Sequence, residues 1–420
     1  MSLNKFNSTI VSGVKWLAIY ILVGGIVGSA TAFFLQSLDY VTLLRTNHIW
    51  VVYFLPIAGL VIGLLYFYYG DAANKGNNLF IETHHSLKKE ETPKLIPLKM
   101  APMVFLSTLL THIAGGSAGR EGTAVQMGGA IADQFTGLFK LNALERKTIL
   151  IIGISSGFAA VFGTPLAGAI FALEILSISK PKRNQLVASL FVAYISHYSC
   201  LAWQVKHTIY TIPSIPAISL TTLAWTIVAG IIFGLTALAF TSTGKLFEKI
   251  FNKIKFAPLR PFIGGIIITL FIVAFNSTKY IGLGIPTIQD AFINYAGQFD
   301  FAIKLILTSF TLSAGFKGGE VTPLFFIGAT LGNLLIWFIP LPMALLAGMG
   351  FVAVFSGATN CVYASIALGL ELFGMKAGVY IGIASVAAYF SSGSNGIYTA
   401  QLKLGAKYTA HNYLKRLAKL

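Results

Sequence analysis

Charge is scarce in this chain: Asp, Glu, Lys and Arg make up 10% of its 420 residues, and only 14 are acidic. That supply cannot cover the surface of a soluble protein, while 55% of the residues are apolar and the mean hydropathy is +0.76. The composition excludes a soluble fold and predicts an all-α polytopic membrane protein. Cysteine is rarer still. Cys200 and Cys361 both lie in apolar stretches, which excludes a disulfide framework. The apolar runs are long and do not alternate, which excludes an outer-membrane barrel. No cleavable leader is evident, because residues 1–9 are polar and the following run, 14–38, is long enough to span. His84-His85 lacks the His-Glu-x-x-His spacing of a helical zinc protease and reads as part of a solvated loop. An intramembrane hydrolase using Glu121 and Glu320 as an acid pair finds neither a metal-ligand cluster nor a nucleophile–base set, so no enzyme, metal or cofactor is expected.

The charge that is present is one-sided, with 30 Lys and Arg and a net charge of +16. The basic residues gather in short polar connections: Lys5 and Lys15; Lys88, Lys89, Lys94 and Lys99; Lys180, Lys182 and Arg183; Lys245, Lys249, Lys253, Lys255 and Arg260; and Lys403 to Lys419. This pattern predicts cytoplasmic loops beside anionic lipid headgroups, not a nucleic-acid surface.

Two long segments, 14–38 and 50–69, predict a hairpin with Arg45 and His48 outside, followed by a polar cytoplasmic stretch at 71–99. Apolar segments then fall at about 101–115, 122–138, 148–162, 165–179, 186–203, 223–247 and 261–275. The last group is 302–314, 323–338, 343–356, 361–373, 376–390 and 397–404. Several fall short of the ~20 residues a full span needs. Gly-rich interruptions at Gly115-Gly116, Gly163-Thr164-Pro165, Gly318-Gly319 and Ser392-Gly393-Ser394 predict broken helices.

The chain repeats itself. Glu121 in Gly119-Arg120-Glu121-Gly122-Thr123 and Glu320 in Gly318-Gly319-Glu320-Val321-Thr322-Pro323 differ by 320 − 121 = 199. The same offset pairs Gly116 with Gly315, Thr123 with Thr322 and Gly129 with Gly328. Further on, 157–162 echoes 350–355, and each half reaches another acid, Glu174 and Glu371. A single transmembrane domain over 1–420 is expected, with repeats at about 101–204 and 302–404. An inverted pair fits broken helices meeting near the midplane.

A carboxylate at a membrane helix centre costs at least ~2.5 kcal/mol, so its default reading is functional. Both glutamate motifs open a helix, where glycine lets the backbone approach a ligand and free N–H groups face an anion. Gly76-Asn77-Asn78 is a third such start, with an ordinary helix cap as its alternative. Glu121 can occupy an anion's place while ionised and leave when protonated. A salt bridge to Arg120 is its bland alternative. Glu320 and Thr322 are read as site residues or as helix caps. Glu174 and Glu371, late in their helices, read as structural or interfacial. Tyr398, in the polar break before the last apolar segment, can donate to a buried anion, although tyrosine at the membrane interface is the commoner case.

At these motifs the sequence resembles the CLC family of anion channels and anion/proton antiporters, over about 16–417. The resemblance implies an inverted-repeat bundle of tilted, broken helices, a homodimer with one pathway per subunit, and a bacterial cytoplasmic membrane. The paired cytoplasmic nucleotide-sensing domains of some relatives are expected to be absent. Chloride-selective relatives carry Gly-Ser-Gly-Ile-Pro where this chain has Gly76-Asn77-Asn78-Leu79-Phe80. They carry proline in place of Thr123, and Gly-x-Phe-x-Pro in place of Gly319-Glu320-Val321-Thr322-Pro323. All three departures follow the fluoride/proton antiporter clade. The resemblance therefore implies fluoride and protons as cargo, Glu121 as gate and proton carrier, and Glu320 in proton and anion coupling. It implies an anion site of Gly76, Asn77, Asn78, Gly122, Thr123, Val321, Thr322 and Tyr398. The internal proton glutamate of chloride/proton relatives falls on Ile175, so protons need Glu320 or another path. A chloride/proton antiporter with an unusual filter and a passive anion channel are the alternatives. Fluoride is small and strongly hydrated, and an amide plus a hydroxyl suits its dehydration.

Overall fold

The computed structural model describes residues 3–87, 94–176, 182–275, 277–403 and 407–409. Lys88, Lys89, Lys180, residues 177–179 and most of the basic tail lie outside the described residues. The described residues form helices joined by short turns. A hairpin of α1 (Leu3–Asn47) and α2 (Leu55–Tyr69) leads to α3 (Asn77–Ser86) and then to the broken pair α4 (Met100–Ile113) and α5 (Glu121–Leu138). Next come α6 (Ala143–Phe162), α7 (Pro165–Ile175), α8 (Arg183–Ala202), α9 (Leu220–Phe251), α10 (Leu259–Phe275) and α11 (Ile285–Asp290). The second broken pair is α12 (Asp300–Ser313) and α13 (Val321–Leu334), followed by α14 (Met343–Thr359), α15 (Val362–Phe373) and α16 (Gly378–Ser391).

Among the described residues, four helical stretches are long and apolar enough to cross a membrane: 12–47, 49–69, 183–202 and 220–251. Others are too short; α13 has 14 residues and rises about 21 Å at ~1.5 Å per residue, against a hydrocarbon core of ~30 Å. Lys15 and Glu145 approach to 4.0 Å, and Lys99 and Asp71 to 2.7 Å, which puts the starts of α1, α4 and α6 and the end of α2 on one basic face.

The breaks meet at the centre. Gly119 and Gly319 form an antiparallel bridge, N–H to carbonyl, at 2.6 and 2.7 Å. Gly115 (φ +91°) and Gly315 (φ +107°) make the matching turns, in a region where a Cβ is strained. Around them helices pack through small residues. A Cβ on Gly328 of α13 would lie 2.0 Å from the Gly350 carbonyl oxygen of α14. A Cβ on Gly157 of α6 would lie 2.3 Å from the Ala124 carbonyl oxygen of α5. Association without a hydrophobic drive between helices depends on such close approach. Between the halves runs an aromatic seam, with Phe162 and Phe325 at 5.4 Å and Phe171 and Phe355 at 6.2 Å between ring centroids.

Several expectations need correction. Arg45 does not face out. It is buried and donates to the His112 carbonyl in the last turn of α4. His84 is not in a loop; it is buried on α3, which packs on α5 and α6. Residues 397–403 are not helical, because their backbone donors go elsewhere: Ile397 to the Ala358 carbonyl at 2.8 Å and Ala400 to the Asn78 side-chain oxygen at 3.0 Å. The short α11 was not anticipated. Both cysteines are free and buried.

Candidate functional site

Three helix starts, those of α3, α5 and α13, converge on the paired glycines. The first-turn N–H groups of a helix have no intrahelical acceptor and carry its positive end. Glu121, the first residue of α5, is 1% exposed. Its carboxylate lies across the start of the opposite helix. Oε2 accepts from the Thr322 backbone N–H at 3.0 Å and from that of Arg120 at 3.2 Å, and Oε1 accepts from the Thr322 hydroxyl. An acid from one half thus sits where α13 would hold an anion. Arg120 Nε lies 3.7 Å from Oε1. Sequence neighbours meet here because Arg120 caps α5 from outside its helical turns, so the ion pair set aside as the bland alternative coexists with the anion-like seat.

Asn77 opens α3 behind Gly76, whose φ of +55° turns the chain into the helix. A Cβ on Gly122 would lie 3.1 Å from Gly319 Cα and 3.4 Å from Asn77 Nδ2, so the three starts are in close contact at this glycine. The side-chain oxygen of Asn77 is buried without a hydrogen-bond partner. Gly76, Asn77, Gln126, Lys317, Glu320 and Tyr398 line a chamber of about 170 Å³ beside the seat. Tyr398 is buried and packs edge-on against Phe171 at 6.4 Å. Val321 is buried as the first residue of α13.

Three of the anticipated residues show partners or a lack of them that the sequence did not announce. The Asn78 side-chain oxygen is taken by the Ala400 N–H, so it anchors the segment that carries Tyr398. The Thr123 hydroxyl turns away to Thr108 of α4 at 2.7 Å. Glu320 precedes α13 but makes no side-chain cap bond; Glu121 occupies that position instead. Glu174 and Glu371 have a clear structural use. Glu174, late in α7, accepts from the Tyr363 and Ala364 N–H groups that open α15, at 3.0 and 2.6 Å. Glu371, late in α15, accepts from Leu166 and Ala167 at the start of α7, at 2.9 and 2.8 Å. Ile175 is buried in the apolar core. Sequence reasoning missed Gln126 and Lys317. Lys317 carried a signal: it is a cation inside an embedded break, three residues before Glu320.

The sequence pattern of the voltage gated chloride channel family matches residues 59–393. The chain is 47% identical over 394 residues to the "Chloride/fluoride channel protein" of Pseudomonas syringae pv. tomato, covering 92% of this chain and 86% of that one. It is 25% identical over 410 residues to the H(+)/Cl(-) exchange transporter ClcA of Vibrio cholerae serotype O1, covering 88% and 84%. Its fold matches the crystal structure of a CLC-type fluoride/proton antiporter with a TM-score of 0.87 at 33% identity, over 92% of this chain and 98% of that one. A slow cyanobacterial Cl-/H+ antiporter shares the fold, with a TM-score of 0.77 at 19% identity over 96% and 98%. The broken helices, the paired glycines and these likenesses together make the chain a member of the CLC family of anion channels and transporters, a multi-pass membrane protein and not an enzyme.

Proposed function

We propose that this protein is a fluoride/proton antiporter of a bacterial cytoplasmic membrane, exporting fluoride against inward proton flow. The observation that carries the reading is the Glu121 carboxylate held by the first turn of α13. A group in that seat competes with a diffusing anion for the same donors. Protonation removes its charge and weakens its hold on those donors, so one event opens the path and moves a proton. Asn77 supports fluoride as the cargo. Its amide offers a stronger donor than a serine hydroxyl at a site already crowded by Gly122 and Gly319. Glu320 and Tyr398 share the adjoining chamber and serve coupling and anion passage. The same reading takes the chain as one transmembrane domain, with repeats at about 101–204 and 302–404, working as a homodimer.

The experiment is efflux from proteoliposomes, comparing fluoride with chloride while internal pH is recorded. Fluoride efflux with proton uptake supports the antiporter. Equal chloride efflux with coupling makes it a chloride/proton exchanger, and efflux without proton movement makes it a channel. Asn77→Ser is expected to lower the fluoride-to-chloride rate ratio by about tenfold, the scale of one charge-assisted hydrogen bond. An unchanged ratio removes Asn77 from the filter.

A further inference from the structure

Lys304 and Lys407 are buried and each donates to two oxygens, whereas Lys317 is half-buried. Lys304 donates to the Tyr280 and Gly282 carbonyls at 2.9 and 2.7 Å. Lys407 donates to Asn360 Oδ1 at 2.5 Å and to Ser392 Oγ at 2.9 Å. Lys317 is different. Its ammonium sits 4.0 Å over the centre of the Tyr66 ring. Among the described residues no oxygen accepts a hydrogen bond from it, and no carboxylate lies within 4.0 Å, that of Glu320 included. The ring face holds the ammonium without neutralising it, and its N–H donors are left to the spaces the side chain lines.

The position of this unmatched charge is informative. Lys317 lines the chamber of about 170 Å³ at Asn77 and also a second one, of about 420 Å³. The second lies between the ends of α9 and α10 that carry the cytoplasmic-type basic loops, with Lys245, Glu248 and Arg260 in its wall. Arg260 is already committed to the Ile254 carbonyl and Asn252 Oδ1, at 3.1 and 2.7 Å. Lys245 is exposed at the wall. Both spaces are polar and hold several waters, since one water needs only ~10–15 Å³. Water in these chambers solvates the ammonium, and an anion passing their junction meets a cation that no carboxylate among the described residues neutralises.

We propose that the Lys317 ammonium forms a second anion site, which receives a small inorganic anion from the α9–α10 chamber and passes it to the Asn77 chamber. Lys245 raises the local anion concentration at the approach through its field. This role presupposes the anion transport proposed above. It belongs to the binding step, and the seat of Glu121 on the first turn of α13 is left intact.

The test is the initial fluoride efflux rate against internal fluoride concentration, for the full chain in proteoliposomes, with protons recorded in parallel. Lys317→Met is expected to raise the half-saturating fluoride concentration about tenfold, as loss of one hydrogen bond to a charged group does. The proton-to-fluoride ratio stays at its wild-type value. Lys317→Arg keeps the charge and restores half-saturation to within about twofold. An unchanged half-saturation in Lys317→Met overturns the proposal, as does an equal loss in Lys317→Arg, which would mark a packing role on Tyr66. Lys245→Glu, at an exposed position, keeps the test open if position 317 tolerates no change. It is expected to slow efflux about threefold at low ionic strength and not at ~1 M salt, where the Debye length is ~3 Å. No effect at low salt overturns the approach route. Wild-type protein that moves no anion refutes the functional reading itself. Wild-type protein that moves fluoride without protons leaves half-saturation measurable and Lys317 still at stake.

Discussion

Glu121→Gln is expected to carry fluoride without carrying protons. Glutamine matches the shape of glutamate, but it never ionises and one of its two acceptor oxygens becomes an NH2 donor. The seat on α13 presents the Thr322 N–H, the Thr322 hydroxyl and the Arg120 N–H. An NH2 group placed there faces donors with a donor, and each buried donor left unmatched costs about 1–3 kcal/mol. The side chain therefore leaves the seat at every pH, and the anion path stays open without a protonation event. Proton uptake should fall at least ~100-fold, equivalent to about 2.7 kcal/mol in a coupled rate, while fluoride efflux stays within ~10-fold of wild type. The two fluxes are read from the same proteoliposome traces. Proton uptake that persists at the wild-type ratio would remove Glu121 from the gate.

The second large effect concerns the frame and not the cargo. Gly328→Ala puts a Cβ 2.0 Å from the Gly350 carbonyl oxygen and 2.4 Å from its carbon. Both atoms are backbone, so no rotamer relieves the clash and α13 has to move away from α14. Overpacking a close-packed core costs about 1–3 kcal/mol or more, and this site belongs at the upper end. Since α13 also supplies the Thr322 donors to Glu121, transport should fall together with stability. A control is built into the chain: a Cβ on Gly25 of α1 meets nothing within 4 Å. Gly25→Ala should therefore unfold in detergent at the wild-type temperature, with Gly328→Ala well below it. Equal midpoints for the two variants would refute the packing account.

The centre of the molecule was legible in the sequence because its signals were local and doubled. Glu121 and Glu320 stand in matching Gly-rich motifs, and glycine plus an acid inside an apolar chain has few bland explanations. The helix starts at Asn77, Glu121 and Val321 followed from the same punctuation. What escaped depended on partners far along the chain. Nothing beside Glu174 announces that its acceptor duty lies at Tyr363, and nothing beside Asn78 points to Ala400. Thr123 occupied a motif position, but the hydroxyl of Thr108 claimed its side chain. Arg45 read as an outer-loop charge because hydropathy scores a residue by type, and a buried guanidinium satisfied by a carbonyl looks the same in sequence as a solvated one. Residues 397–404 read as a short last segment, but two non-local hydrogen bonds hold 397–403 out of a helix.

The exchange of acids between α7 and α15 bears on how the chain can be made. Glu371 serves the first-turn amides at Leu166 across 205 positions of sequence, and Glu174 serves those at Tyr363 across 189. At ~5–20 residues per second, the ribosome releases α7 about 10–40 s before its partner exists. For that interval the opening amides of α7 and the carboxylate of Glu174 have no mates in the nascent protein. A first half halted there is an open clasp and not a finished unit. The clasp closes only when α15 arrives, so this pairing of the halves waits on synthesis of the second.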